Sequence, residues 1–204
     1  MDMPTYYYKG SPIAAPLTIT SNEPMFDGDT ISLKKLRATQ GAQRWEMSFT
    51  TVPQGEDIGR HFVEAVHDYH KPDSMVMPQF KEVLRRDTLR GPMFTLSQAE
   101  KGDKTFKINN DNRNSGTYPQ GSFFKFYNHD KVYLNVNDID LNGDTNRTAE
   151  IYPPLVRTVP PNTLVKVWDD CNFVFFKNID NQRGISFSDG ILTNVGTINL
   201  EEAI

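Results

Sequence analysis

Three stretches of this 204-residue chain hold residue types at spacings that could do chemistry. In the first, Asp138, Asp140 and Asn142 alternate and Gly143 follows. That reproduces the opening of a calcium loop, with oxygen ligands at positions one, three and five and a glycine at six for the sharp turn. The twelfth position, which such a loop gives to a bidentate glutamate, is Ala149, and Glu150 falls one place late. Aspartate, asparagine and glycine also make hairpin turns without help. We therefore read Asp138, Asp140 and Asn142 as a turn and expect no metal and no cofactor there.

The second set comprises His61, His67, His70, His129 and the single cysteine, Cys171. His67 and His70 are three apart, close enough to meet on a helix. With no cysteine near them in sequence, they make a weak case for zinc. His129, followed by Asp130, would act as an acid or base only if a nucleophile or second carboxylate converged on it, and the sequence supplies none. Cys171 precedes the apolar run 173–176 and reads as a packed thiol; one cysteine excludes an internal disulfide framework. Met75, Met77 and Met93 are read as packing and not as a sulfur ligand set. No glycine-rich phosphate loop and no G-x-S-x-G elbow occurs. The chain is expected not to be an enzyme.

The third stretch is GSFFKFYNHDKVYLNV, residues 121–136. Its aromatic and basic mix resembles the surfaces on which small β-barrels stack single-stranded nucleic acid. Phe124, Tyr127, His129 and Tyr133 are thus the candidate ligand or interface surface. The formal charge of −4, with both signs interspersed, disfavours a polyphosphate partner. An aromatic protein interface is the simpler account.

The elements that would position these residues are mostly strands. The stretch 121–136 reads as two runs, 123–127 and 132–136, around the polar break Asn128, His129 and Asp130. In the second run Val132, Leu134 and Val136 share one face, as in a half-buried strand. Ile151 and Tyr152 are stopped by Pro153 and Pro154. With strands over 94–96 and 105–109 and no helix between them, about five short strands from 94 to 169 imply a small barrel or sandwich.

Outside this module, residues 44–50 alternate cleanly, with Trp45, Met47 and Phe49 on one face. From Asp57 to Tyr69 the period becomes helical, and Pro72 ends the segment. Residues 80–84 fit either a helical turn or a strand. Residues 1–24, with Tyr6, Tyr7, Tyr8, Pro12 and Pro16, show no sustained period and read as an arm lying on its own domain or on a neighbour. Strands over 171–176, 184–188 and 195–200 close the chain. One or two strong strands and a helix cannot close the first half alone, so the late strands should complete it and the module should be an insertion. The expected fold is mainly β: a β-sandwich with one helix from residues 1–92 and 168–204, carrying a small barrel of oligonucleotide/oligosaccharide-binding type over 93–167. No run is apolar enough for a membrane span, and no signal-type segment follows Met1. The chain is expected to act where it is made.

The run 121–133, the polar loop after it, EIYPPL at 150–155, the apolar strand 173–176 and TNVGTINL at 193–200 together resemble the distal tail proteins of tailed phages, most closely those of T5-like siphophages. QRWEMSF at 43–49 with a helix soon after is similar to that family's core domain. The resemblance implies a structural virion protein, made in the host cytoplasm. Its copies would form a ring, usually a hexamer, joining the tail tube to the tail hub, tip or baseplate. The barrel would face outward and hold fibres in some members. The competing readings are a carbohydrate- or nucleic-acid-binding barrel module and a related tube or baseplate protein of a contractile tail.

Overall fold

The computed structural model of the chain describes residues 6–29, 35–39, 42–51, 71–109, 114–143, 146–177, 186–188, 191–194 and 197–204. The helix expected over 56–70, with His61, His67 and His70, lies outside them. The described chain is mainly β and divides into two compact units, one of Ser74–Val174 and one of Pro4–Asp73 with Phe175–Ile204.

In the discontinuous unit, β1 (Tyr7–Tyr8) and β2 (Ser11–Asn22) lead into a separate hairpin of β3 (Met25–Asp29) and β4 (Lys35–Thr39). They are followed by β5 (Arg44–Thr51) and, after β6 (Asp73–Val76) has taken the chain away, by β15 (Asn172–Lys177), the hairpin β16 (Ser186–Ser188) and β17 (Ile191–Asn194), and β18 (Ile198–Glu202). The main sheet runs β1-β2-β5-β18-β15-β6. Its centre joins distant sequence: Ile198 stands opposite Phe49 and Leu200 opposite Met47. The alternation expected of β5 is present, with Trp45, Met47, Phe49 and Thr51 buried and Arg44 exposed. On the same face the Tyr8 ring meets Phe49 edge-on at 5.4 Å and lies 6.1 Å from Phe175.

The aperiodic arm expected over residues 1–24 is a strand over half its length. β2 pairs with β5 from Ile13 opposite Thr51 to Asn22 opposite Arg44, with a bulge between Ala14 and Thr18. The bulge sets two extra residues in β2, which leaves the two faces in phase on either side; the period is masked because Pro12, Ala14 and Pro16 put apolar residues on the alternate positions to Ile13, Leu17 and Ile19. Pro12 and Pro16 are tolerated because β2 lies next to the sheet edge, where only the two-residue β1 covers it.

The continuous unit opens with α1 (Lys81–Arg86), so residues 80–84 resolve to a helical turn. Six strands follow as a closed barrel: β7 (Met93–Thr95), β8 (Thr105–Asn109), β10 (Phe123–Phe126), β11 (Val132–Asn135), β13 (Arg147–Tyr152) and β14 (Leu164–Val167), ordered β10-β11-β13-β8-β7-β14. All neighbours are antiparallel. Beside it β9 (Thr117–Tyr118) pairs with β12 (Ile139–Asp140), and a 3-10 turn (Trp168–Asp170) leads to β15. Because β5, β15 and β18 pair across the barrel's whole sequence, the barrel is an insertion.

Side-chain rings fill its interior. Phe106, Phe124, Phe126 and Tyr133 are all buried with centroids 5.0–5.9 Å apart, alongside Met93, Ile108, Ala149, Ile151 and Val165. Tilted and edge-to-face pairs of this kind add about 0.5–1.5 kcal/mol each beyond area burial. The half-buried alternation expected of β11 is corrected: Tyr133 lies in the core, Val132 and Asn135 are also buried, and Leu134 is the partly exposed position. The reason is barrel closure, which turns the Tyr133 face inward; Asn135, on that same face, donates its amide to the carbonyls of Pro119 and Asn137. Outside β10, the Gln79 side chain donates to the Phe123 carbonyl and accepts from its N–H, both at 3.0 Å, and Phe80 lies 5.9 Å from the Phe123 ring.

Candidate binding surface of the barrel

The four aromatic and imidazole positions picked from sequence separate. Phe124 and Tyr133 are 1% and 0% exposed inside the barrel, so neither presents a ring to a ligand. The correction follows from barrel closure, which turns one face of every strand inward. Tyr127, just past β10, is 70% exposed.

His129 is tied down between them. The Val156 N–H donates to the Tyr133 hydroxyl (3.2 Å), which leaves that hydroxyl's proton for His129 Nε2 (2.8 Å). His129 Nδ1–H then donates to Asn128 Oδ1 (2.8 Å), and Asn128 Nδ2 donates to the Thr158 carbonyl (3.1 Å). Both ring nitrogens are thereby committed with the imidazole neutral. Burial, reinforced by Arg157 and only partly offset by Asp130, holds its pKa down to about 4. Asp130 pairs with the buried Lys125 at 3.0 Å. His129 staples the β10–β11 turn to the chain after β13.

The calcium-like stretch is likewise a set of turn contacts. Asp138 accepts from Arg86 (2.6 Å) and from the Gln120 N–H (2.7 Å). Asp140 accepts from the N–H and the side-chain amide of Asn142, and Asn142 Oδ1 accepts from the Gly116 N–H. These oxygens face separate donors. Among the described residues no group of three or more His, Cys, Asp or Glu side chains could share a metal.

Two further polar clusters are structural. Trp168, held at φ 49°, donates Nε1–H to Asp87 (2.6 Å), whose other oxygen accepts from the Leu89 N–H. Burial raises the Asp87 pKa despite these donors. Burial, with Cys171 and Asp87 nearby, also pushes the Tyr118 phenol well above its usual range, and its hydroxyl donates to the Phe123 carbonyl. In the discontinuous unit, a shallow depression on the sheet is lined by Thr18, Thr20, Glu46, Ser48, Asn199 and Glu201. Glu46 and Glu201 stand opposite each other, but Asn22 donates to the first and Arg44 pairs with the second.

The outer barrel wall carries a row that the sequence did not reveal. Met93, Ile108, Phe126 and Val165 point into the core, so alternation turns Phe94, Asn109, Tyr127 and Leu164 outward. Register aligns them: the Tyr127 N–H donates to the Leu164 carbonyl, Leu164 stands opposite Phe94, and Phe94 opposite Asn109. Lys166, two residues from Leu164, holds its ammonium 4.9 Å from the Tyr127 ring centroid. The alternation of 105–109 marks which residues of β8 face out, but the neighbours of β14 come only from pairing. No protein-family model and no curated protein matches the chain.

Proposed function

We propose that this chain is a non-catalytic structural protein that acts through its surfaces, with the inserted barrel as its binding module. The observation that carries this reading is the barrel interior, closed by Phe106, Phe124, Phe126 and Tyr133. A barrel so filled leaves recognition to its outer wall. The groups best able to do acid–base work support the same reading, since His129 and Asp87 both hold turns and chain ends together. Native mass spectrometry of the protein from its own source tests it. The expected mass is that of the chain or a whole multiple of it; a small molecule released on denaturation and no longer retained by Phe124→Leu would overturn it.

The more specific form of this role is a ring-forming distal tail protein that joins a phage tail tube to its tip or baseplate. Its support is the sequence likeness described above, together with β2, whose outer edge past Ile13 has no strand beside it among the described residues. Open edges are what neighbouring subunits cover. Electron microscopy of native particles is the test: a ring of identical subunits at the distal end of the tube supports it, and absence from assembled particles sinks it.

A further inference from the structure

We infer that the seam between the β10–β11 turn (127–131) and the strap after β13 (155–159) is an acid-released latch. Protonation of His129 frees the Val156 N–H and lets the turn part from the strap while the barrel strands stay paired. This concerns how one end of the barrel responds to acid and does not depend on what the barrel binds. Loop 99–103 holds the strap by backbone bonds. The Leu155 N–H donates to the Asp103 carbonyl (2.9 Å), the Gly102 N–H donates to the Leu155 carbonyl (2.7 Å), and Val159 and Ala99 exchange two bonds (2.8 and 3.0 Å). The Thr158 hydroxyl also donates to Glu100, whose pKa is held down by its bonds from Gln98 and Thr158. The turn holds the strap by two ties, Val156 N–H to the Tyr133 hydroxyl (3.2 Å) and Asn128 Nδ2 to the Thr158 carbonyl (3.1 Å). His129 joins the two, with Nε2 on Tyr133 and Nδ1 on Asn128, both at 2.8 Å.

The neutral imidazole fits this arrangement and the charged one does not. A protonated ring donates from both nitrogens. The Tyr133 hydroxyl, which already accepts from Val156, then faces two donors and loses the acceptor of its own proton. Satisfying the imidazolium takes the hydroxyl away from the Val156 N–H. Charge acts in the same direction. Lys125 in β10, Lys131 in the turn and Arg157 in the strap all oppose a positive ring, and Asp130, the offsetting charge, already pairs with Lys125 at 3.0 Å. Arg157 lies between Val156 and Thr158, so its repulsion from an imidazolium falls across the seam and strains the remaining Asn128 tie. The Phe126 ring, 5.6 Å from the imidazole, adds to the burial. Burial first, and then these cations, keep the ring neutral until the pH nears about 4. The latch is therefore shut at neutral pH and releases as the pH falls toward that value.

The test is amide hydrogen exchange of the full chain, followed residue by residue by NMR and normalised at each pH to the exchange of an unstructured chain. Between about pH 6.5 and about pH 4.5, protection of the Val156 amide is expected to fall at least tenfold, while that of Val159 and Ala99 changes less than about twofold. In His129→Asn the protection of Val156 should no longer vary with pH. In Arg157→Gln the loss of a neighbouring cation should move the onset of the fall to higher pH, a shift that a merely structural role for Arg157 would not produce. Unchanged protection of Val156 in the wild type overturns the latch. A parallel fall at Val159 and Ala99 overturns it as well, because the barrel end then loosens as a whole. A fall that persists in His129→Asn assigns the response to another group and has the same effect. Should His129→Asn fail to fold, Arg157→Gln decides, and an onset at the wild-type pH counts against the latch.

Discussion

His129 shows how one side chain links burial, protonation and stability. In the unfolded chain its pKa is the ordinary 6.5, and in the fold it lies at about 4, so between these values only the unfolded chain takes up the proton. Stability should therefore be independent of this group above pH 6.5, fall as the pH drops toward 4, and level off below. A full shift of this size would amount to about 3 kcal/mol, and solvent access to a partly exposed ring cuts the expected loss to about 1–2 kcal/mol. Urea unfolding of wild type and His129→Asn at pH 7.5 and pH 4.5 checks this. The variant should start less stable, losing the bonds to Tyr133 and Asn128, yet decline less than wild type on acidification. Equal declines would mean that the imidazole stays accessible to protons in the fold. At Asp140, calorimetry with calcium is expected to show no submillimolar binding, because its side chain already accepts from Asn142. Binding that is lost in Asp140→Asn would overturn the turn reading.

At the scale of elements, the turns that feed the barrel depend on backbone shape more than on side-chain identity. Gly116 has φ 89°, and a Cβ there would lie 2.1 Å from the Thr88 carbonyl oxygen, whereas Gly102 has φ 94° and open space. Gly116→Ala should cost about 3 kcal/mol or more, through both strain and clash, and Gly102→Ala only about 1–2 kcal/mol. Thermal denaturation of the two variants separates these contributions; similar midpoints would mean that the chain around Thr88 yields. The same scale governs how much of the fold was legible. β5, β8 and the β10–β11 hairpin were readable because a period of two survives wherever a strand has one wet face or a polar turn fixes its ends. β2 was not, because Pro12, Ala14 and Pro16 place apolar residues on both faces and mask the alternation. Which face of β11 is buried does not follow from its alternation, because closing the barrel brings Phe106 and Phe124 from other strands over the Tyr133 face. The surface row of Tyr127, Leu164, Phe94 and Asn109 depends on pairing between strands 15–70 residues apart, and alternation within any one strand cannot reveal its neighbour.

On the scale of the whole molecule, the barrel unit extends past its strands at both ends, and the contacts there explain why. Gln79 satisfies both backbone groups of Phe123, the Met77 N–H donates to the Cys171 carbonyl, and Asp87 holds Trp168 at the barrel's exit. Each ties chain before β7 either to the barrel or to chain after β14. A fragment cut to residues 94–166 loses Gln79, Asp87 and Trp168 together, and the Phe123 N–H loses its Gln79 acceptor while its carbonyl keeps the Tyr118 hydroxyl. Leaving a buried backbone group unpaired costs about 1–3 kcal/mol, and a domain of this size has only about 5–15 kcal/mol in total. The fragment 74–174 should therefore fold alone with a cooperative thermal transition and dispersed proton NMR signals, whereas 94–166 should be markedly less stable or unfolded. Within the longer fragment, Gln79→Ala should lower stability by about 2 kcal/mol, a sizeable part of the deficit. If 74–174 proves unfolded while the full chain is cooperative, the barrel draws its stability from the remainder of the chain.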